Sequence, residues 1–549
     1  MVLNALRELF VGVEKFDLQN LEGFPYEKYE EQWMQYSEAE RWFNGSALGD
    51  QPEARNKADL YPLRINPIVG TVLKHTSTLF GEVEDDARPL VVPKVKYSSK
   101  NQGEKAKALQ AERALNDLWD ENHGRAIMVE NGLMSQVYGG CVFKLTYVPW
   151  EGIDKGGRRR TPLRIERINP KNFIATPDAS DDYNLLEAWI VRSISLVEAK
   201  LWGYTGDDPS VWYVEHWMPE TYEVFIDGKP ARRQGWELGG ENIWKFVPAV
   251  YIPHIRIGGF LGFNAYSHLV GMVKELNLRF GDLGDSVNDD SHPIIAVRNA
   301  GGALQVRRVN EWLEYVDLGT DPGLSSAERP PDMFEVNRAR TSSAMTDLID
   351  KIEGQYDRDS FVPPVAYGED EGSQRSSLTL ATRFWPLTSH TSIERYFWTP
   401  ALNLLSQFML RMMAIKSLND ITEEHSKLRI KQKWANQLPK DRAEDINEWQ
   451  IRATSNLASV EHLIEMAGDV EDVDEERDMI LKWVADLEEA KQKVIQKYAL
   501  QLQQDQNEAA ATQQKAQLET QEKVAKTQAD SFAQRPPPQR GGKPAGGAQ

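Results

Sequence analysis

Apolar residues at Leu269, Val273, Leu276, Phe280, Leu283 and Val287 alternate four and three positions apart. That spacing predicts a helix with one narrow packing seam sustained over about five turns. Its opposite side carries Glu275, Asp282, Asp285 and Asp289, and the helix, entered at Tyr266, stops at His292-Pro293. The β-prone run Ile294-Ile295-Ala296-Val297 follows. A second helix, over about 339–356, places Met345, Leu348, Ile349, Ile352 and Tyr356 on one face, and Pro293 to Asn337 between the two reads as a small β-containing insert. One packing seam backed by one acidic face implies helices set side by side, in a ring or bundle with a negatively charged inner wall.

Elsewhere the period divides the chain. Residues 1 to about 135 read as helical: Pro25 to Trp42, then Arg64 to Gly81 with Pro67 near a helix start and Gly81 at its end, then about Gln102–Asn122 and Ala126–Tyr138. From Gly139 to about Ile257 the period shortens to two, with strands at Cys141–Val148, Pro162–Ile168, Trp189–Ile194, Val211–Trp217, Tyr222–Ile226 and Val250–His254. Asp227-Gly228 is a tight-turn signal. Leu378 to Ile415 reads as a long, partly interrupted helix with kinks at Pro386 and Pro400. From Pro439 the chain is helical and charged, with a weaker seam at Ile480, Val484, Leu487, Val494 and Tyr498. Gln503 to Ala533 reads as a poorly packed helix and Arg535 to Gln549 as disordered, so the tail 503–549 is expected to be largely disordered. The fold class is α+β, mainly helical.

Charge narrows the function. A net charge of −19 over 549 residues is the wrong sign for a protein that grips duplex DNA by neutralising phosphates, though it suits one that lets DNA slide. The single cysteine, Cys141, excludes an intrachain disulfide framework and any zinc site built from several cysteines, which fits a cytosolic origin. No secretory signal and no apolar run long enough to span a bilayer are present, so no membrane is expected. Sixteen tryptophans suit large cores or extensive subunit contacts.

In order along the chain, four segments resemble the portal proteins of tailed bacteriophages, the head-to-tail connectors. They are Ile65-Asn-Pro-Ile-Val through Gly81; Gly139-Gly-Cys-Val-Phe-Lys-Leu with Ile168-Asn-Pro-Lys-Asn-Phe173; Trp212 through Tyr222; and Pro253-His254 through the seam helix to Ala296. The resemblance implies a wing (1–265), two stem helices (266–291 and 339–357), a clip between them (292–338), a tunnel loop and long wing helix (358–438) and a helical crown (439–502), assembled as a ring of twelve. It also implies a function. Such a ring is the channel at one capsid vertex through which double-stranded DNA enters during packaging and leaves during ejection. The implied partners are further copies of the chain, DNA in transit, the terminase large subunit, head-tail adaptors, and scaffolding and major capsid proteins. The implied location is the virion, after assembly in the host cytoplasm. The channel lining would be Lys274, Glu275, Arg279, Asp282, Asp285 and Asp289. The tunnel loop would offer Glu369, Asp370, Glu371, Gln374 and Arg375, and the clip would dock partners through Arg307, Arg308 and Trp312. Twelve helices spaced roughly 10 Å apart leave a bore of ~28 Å, wide enough for a duplex of roughly 20 Å.

Rival chemistries are thinner. Asp285, Asp289 and His292 at i, i+4 and i+7 have the spacing of a divalent-metal site, as a nuclease requires, but also that of a solvated acidic face ending at a proline. Asp178 to Asp182 reads as a loop. Arg158-Arg159-Arg160 sits at a hairpin tip, where charge is usually just solvated. There is no Gly-x4-Gly-Lys-Ser/Thr loop, no Gly-x-Ser-x-Gly elbow and no His-Glu-x-x-His helix, and Cys141 lies in an apolar strand. Neither catalysis nor a cofactor or metal is expected. A helical scaffold that never encircles DNA is the remaining alternative.

Overall fold

The computed structural model describes residues 18–50, 64–81, 89–97, 102–148, 161–233, 236–291, 294–298, 314–317, 332–335, 343–369, 377–437, 442–455, 457–467 and 473–533. The chain divides into two compact units, Met1–Asp441 and Arg442–Gln549.

In the first unit, α1 (Tyr26–Phe43) and α2 (Ile68–Phe80) precede β1 (Val91–Val95), α3 (Gln102–Glu121) and α4 (Gly124–Tyr138). Gly139 ends α4 at φ +82°, and a Cβ there would strike the Gly262 carbonyl oxygen, so only glycine fits the turn into β2 (Gly140–Tyr147). Strand β2 is central in an antiparallel sheet, between β3 (Leu163–Ile168) and β8 (Ala249–Pro253). A second antiparallel sheet runs in the order β7 (Thr221–Ile226), β6 (Ser210–Trp217), β5 (Asp181–Ser195), β4 (Phe173–Asp178), and the short helix α5 (Leu196–Leu201) follows β5. The six anticipated strands are all present, most of them within a residue or two of the anticipated ends, although β5 begins well before Trp189. The Asp178–Asp182 stretch is narrower than a loop: Asp178 closes β4, Asp181 opens β5, and only a two-residue turn lies between.

The seam helix is α6 (Val270–Ser291), and the second helix of the pair is α7 (Ser343–Asp359). The insert between them contains β9 (Ile294–Arg298), β10 (Glu314–Asp317) and β11 (Asp332–Glu335), with β9 central, parallel to β10 and antiparallel to β11. Then α8 (Ser377–Lys416) runs as one helix of 40 residues with Pro386 and Pro400 inside it, where an interruption was expected. Burial accounts for its continuity: Trp398, Leu405, Met409 and Met413 are fully buried against Leu115, Leu118, Cys141 and Phe143. That packing outweighs the backbone hydrogen bonds two prolines remove. Cys141 has no solvent exposure, and burial pushes its thiol pKa well up, which suits a packing residue.

Beyond α8, β12 (Ile430–Trp434) pairs antiparallel with β1. The first 135 residues are therefore not wholly helical, because Val91–Val95 is a strand whose partner lies more than 300 residues away.

The second unit holds α9 (Arg442–Thr454), α10 (Val460–Ala467) and α11 (Val473–Ala533). The poorly packed helix read over Gln503–Ala533 is present as part of α11, so the largely disordered tail does not extend over those residues. Helix α11 continues unbroken to Ala533, since alanine, glutamine, glutamate and lysine are strong helix formers that need no packing partner to favour the helix. Its seam residues Val484, Leu487, Val494 and Tyr498 are exposed. Residues 534–549 lie outside the described residues.

Candidate functional site

The helix pair is built from its base upward. His268, just before α6, has its Nε2 2.9 Å from the Asp359 carbonyl at the end of α7, so the two helices run antiparallel. The seam is deepest here: Leu269 and Val273 are fully buried and pack with Tyr356 of α7 against Ile68 and Val72 of α2. Leu276 is buried, Phe280 and Leu283 are half-buried, and Val287 is 50% exposed. The seam thus opens steadily toward the insert.

Polar bonds lock the base. The Tyr356 and Thr71 hydroxyls are 2.9 Å apart, and the buried Tyr266 hydroxyl donates to the Ala39 carbonyl at 2.7 Å. Asn277 clasps the backbone of Ile65 from both ends, accepting from its N–H and donating to its carbonyl, each at 2.8 Å. Asn66 donates to the Trp42 and Phe43 carbonyls. The Ile65-Asn66-Pro67 sequence is therefore the bracket that fastens α6 and α1 to the start of α2.

The expected channel residues divide. Arg279 bridges Glu275 and Asp282 on its own helix, at 2.7–3.0 Å, and Lys274 lies over the Trp42 ring, 5.2 Å from its centroid. Both cations are engaged within the chain. Asp285 is half-buried; the side chain of Asp289 and all of His292 lie outside the described residues, so the i, i+4, i+7 trio is not assembled among them. Arg158, Arg159, Arg160, Arg307, Arg308, Trp312, Asp370, Glu371, Gln374 and Arg375 also lie outside the described residues.

Glu369 is described, and it reveals an acidic surface the seam pattern did not single out. On α7, Asp350, Glu353 and Asp357 recur at helical spacing, and Glu369 adds a fourth carboxylate beside them. Burial, then Asp350, Asp357 and Glu369, raise the Glu353 pKa; burial and Glu369 raise that of Asp357. An acid whose folded-state pKa is raised favours folding while protonated and opposes it once ionised, so this cost appears as pH rises through the folded value. Glu353→Gln should therefore raise the melting temperature near pH ~7 and leave it almost unchanged near pH ~4. Thermal scans at the two values check this; an equal shift at both would show that charge is not the cause.

A separate cluster lies in the interior. His75 on α2, His254 just after β8, and His390 and Glu394 one turn apart on α8 place one ligand atom each within 4.8 Å of one another. Glu394 has no solvent exposure. Its Oε1 is 3.0 Å from His254 Nε2, 3.0 Å from His390 Nδ1 and 3.8 Å from His75 Nδ1, while Oε2 accepts from Gln136 Nε2 at 3.0 Å. Burial tends to raise the Glu394 pKa, yet His254 and His390 hold it far below the usual range. Burial, reinforced by His390, lowers that of His75 to about 4. None of the four was singled out for chemistry in the sequence. The one local signal is His390-x-x-x-Glu394, the i, i+4 pair that puts two ligand groups on one helix face.

Protein-family models give no match to this chain, and neither do the curated proteins.

Proposed function

We propose that the chain is a portal-type conduit: a ring-forming subunit whose paired helices line a channel for double-stranded DNA at a phage capsid vertex. The observation that carries this reading is the antiparallel pair α6 and α7. It is fastened to an α+β body at one end, interrupted by a small sheet, and supplied with a seam that the described residues bury fully at the base and less toward the insert. Half-covered apolar rows on neighbouring helices call for further copies of the same helices.

The acidic row on α7, joined by Glu369, supports an inner wall that repels phosphate, so DNA passes without the counterion-releasing grip of a static binder. With Lys274 and Arg279 already engaged, repulsion dominates. Among the described residues no helix is long and apolar enough to cross a membrane. Terminase and tail adaptors would meet the insert, and capsid and scaffolding proteins the body and the second unit.

Electron microscopy of the purified full chain tests the reading. Rings with a central opening of duplex width are expected. A compact monomer or dimer at micromolar concentration would sink it in favour of a scaffold that does not encircle DNA.

A further inference from the structure

We propose that His75, His254, His390 and Glu394 form a closed, four-ligand site for a divalent cation of the zinc class, buried where the helix pair joins the body. The site stands apart from the channel reading and holds whether or not the chain forms a ring.

The outer nitrogens of two histidines fix their tautomers. His75 Nε2 is 2.8 Å from the Ser360 carbonyl oxygen, and His254 Nδ1 is 2.8 Å from that of Phe263. A carbonyl oxygen only accepts, so each outer nitrogen carries the proton. In the neutral rings the inner nitrogens, His75 Nδ1 and His254 Nε2, are then lone pairs, and both are turned toward the Glu394 carboxylate. Lone pairs facing a carboxylate in a sealed interior call for positive charge among them.

One proton on His254 satisfies only one of the contacts. His75 Nδ1 and His390 Nδ1 remain buried without a hydrogen-bond partner, although His390 Nδ1 is 3.0 Å from Oε1. A single cation at the centre would satisfy all four groups once their ligand atoms, within 4.8 Å of one another, draw in around it. Metal–nitrogen and metal–oxygen bonds of about 2.0–2.1 Å set a tetrahedral edge of about 3.3 Å. The observed separations of 3.0, 3.0 and 3.8 Å lie on either side of it.

The outer shell is that of a metal centre. Ser360 and Phe263 carbonyls fix two tautomers, and Gln136 holds the carboxylate oxygen that points away from the centre. Three imidazoles and one carboxylate suit zinc, or cobalt in its place, better than magnesium or calcium, which take oxygen ligands. Four protein ligands leave no open position for substrate, so the ion is structural. Its place explains what it would fasten. Ser360 directly follows α7, and Phe361, held at φ +60°, stacks on His390 with ring centroids 5.0 Å apart. The centre ties the foot of α7 to α2, α8 and the end of β8.

The test is cobalt titration of the chelator-treated full chain, read by visible absorption and by thermal melting. About one equivalent per chain, the intense bands of tetrahedral cobalt and a melting point raised by several degrees are expected. Glu394→Gln and His75→Asn should each weaken cobalt binding at least about tenfold. His123→Asn, at an exposed histidine outside the cluster, should not. Should either cluster variant fail to fold, titration of the unaltered chain still decides. Absence of both the bands and the thermal shift with cobalt and with zinc would overturn the site and leave a buried histidine–glutamate ion pair. So would bands that survive both cluster substitutions.

Discussion

Replacing Lys144 by methionine is expected to lower the stability of the first unit by about 3–5 kcal/mol, the cost of stranding a buried charge. Lys144 on β2 is 3% exposed and its Nζ is 2.6 Å from Oε2 of Glu215 on β6, itself 3% exposed. The pair joins the two antiparallel sheets, and Trp217 Nε1 donates to the same oxygen at 2.7 Å. Burial pushes the Glu215 pKa up, but Lys144 and Arg192 outweigh it and hold the carboxyl below its usual range. A depressed carboxyl contributes stability that is present above its unfolded pKa, about 4.3, and is lost as pH falls through the folded value. Lys144→Met should therefore be most damaging near neutral pH and less so in acid. Adding Glu215→Leu should recover much of the loss, because a pair replaced by apolar groups leaves no stranded charge. Urea unfolding followed by tryptophan fluorescence measures both. A single-variant loss below about 1 kcal/mol would mean that Arg192, 3.4 Å from Oε1, holds the Glu215 charge without Lys144.

The same pair shows what was and was not legible in the sequence. Lys144 and Glu215 both lie in segments that carried the family resemblance, and each sits in a run whose period of two marks a strand. Their meeting depends on how two sheets pack, which periodicity does not encode. The seam of α6 was legible because helix period is local, and its packing direction followed from the positions of Leu269 and Val273. Strand β1 was not. Pro93 sits in its middle, tolerated because a two-stranded sheet is all edge, and its partner β12 is remote in sequence. For α8, Pro386 and Pro400 pointed to a partly interrupted helix kinked at both; burial of the surrounding residues keeps it one continuous helix through both prolines. The histidine–glutamate cluster draws on positions 75, 254, 390 and 394, so only its last two members share a local pattern. The acidic row of α7 was in plain sight as spacing. It gains meaning only once Glu369 folds back beside it.

On the proposed ring assembly, Trp385→Glu with Tyr396→Glu is expected to convert rings to single subunits while leaving each subunit folded. Helix α8 carries large apolar residues on more than one side, and those left outside the core are ordinarily covered by protein. One side is enclosed: Trp398, Leu402 and Leu405 lie in the main core. The other carries Trp385 at 69% exposure, Ile393 at 46% and Tyr396 at 76%. Positions 385, 393 and 396 fall within about one quarter of the helix circumference, so they form a stripe. Large aromatics left open on an ordered helix mark an interface, where burying each contributes about 1.5–3 kcal/mol. In a closed ring every subunit uses that stripe once, so two buried charges per contact are multiplied around the circle. Mass photometry reads the assembly, and circular dichroism with thermal melting reads the subunit. Rings that persist with both glutamates in place would show that the stripe faces something other than a neighbouring copy. Monomers with unchanged helix content and melting behaviour would assign the outer face of α8 to the ring contact.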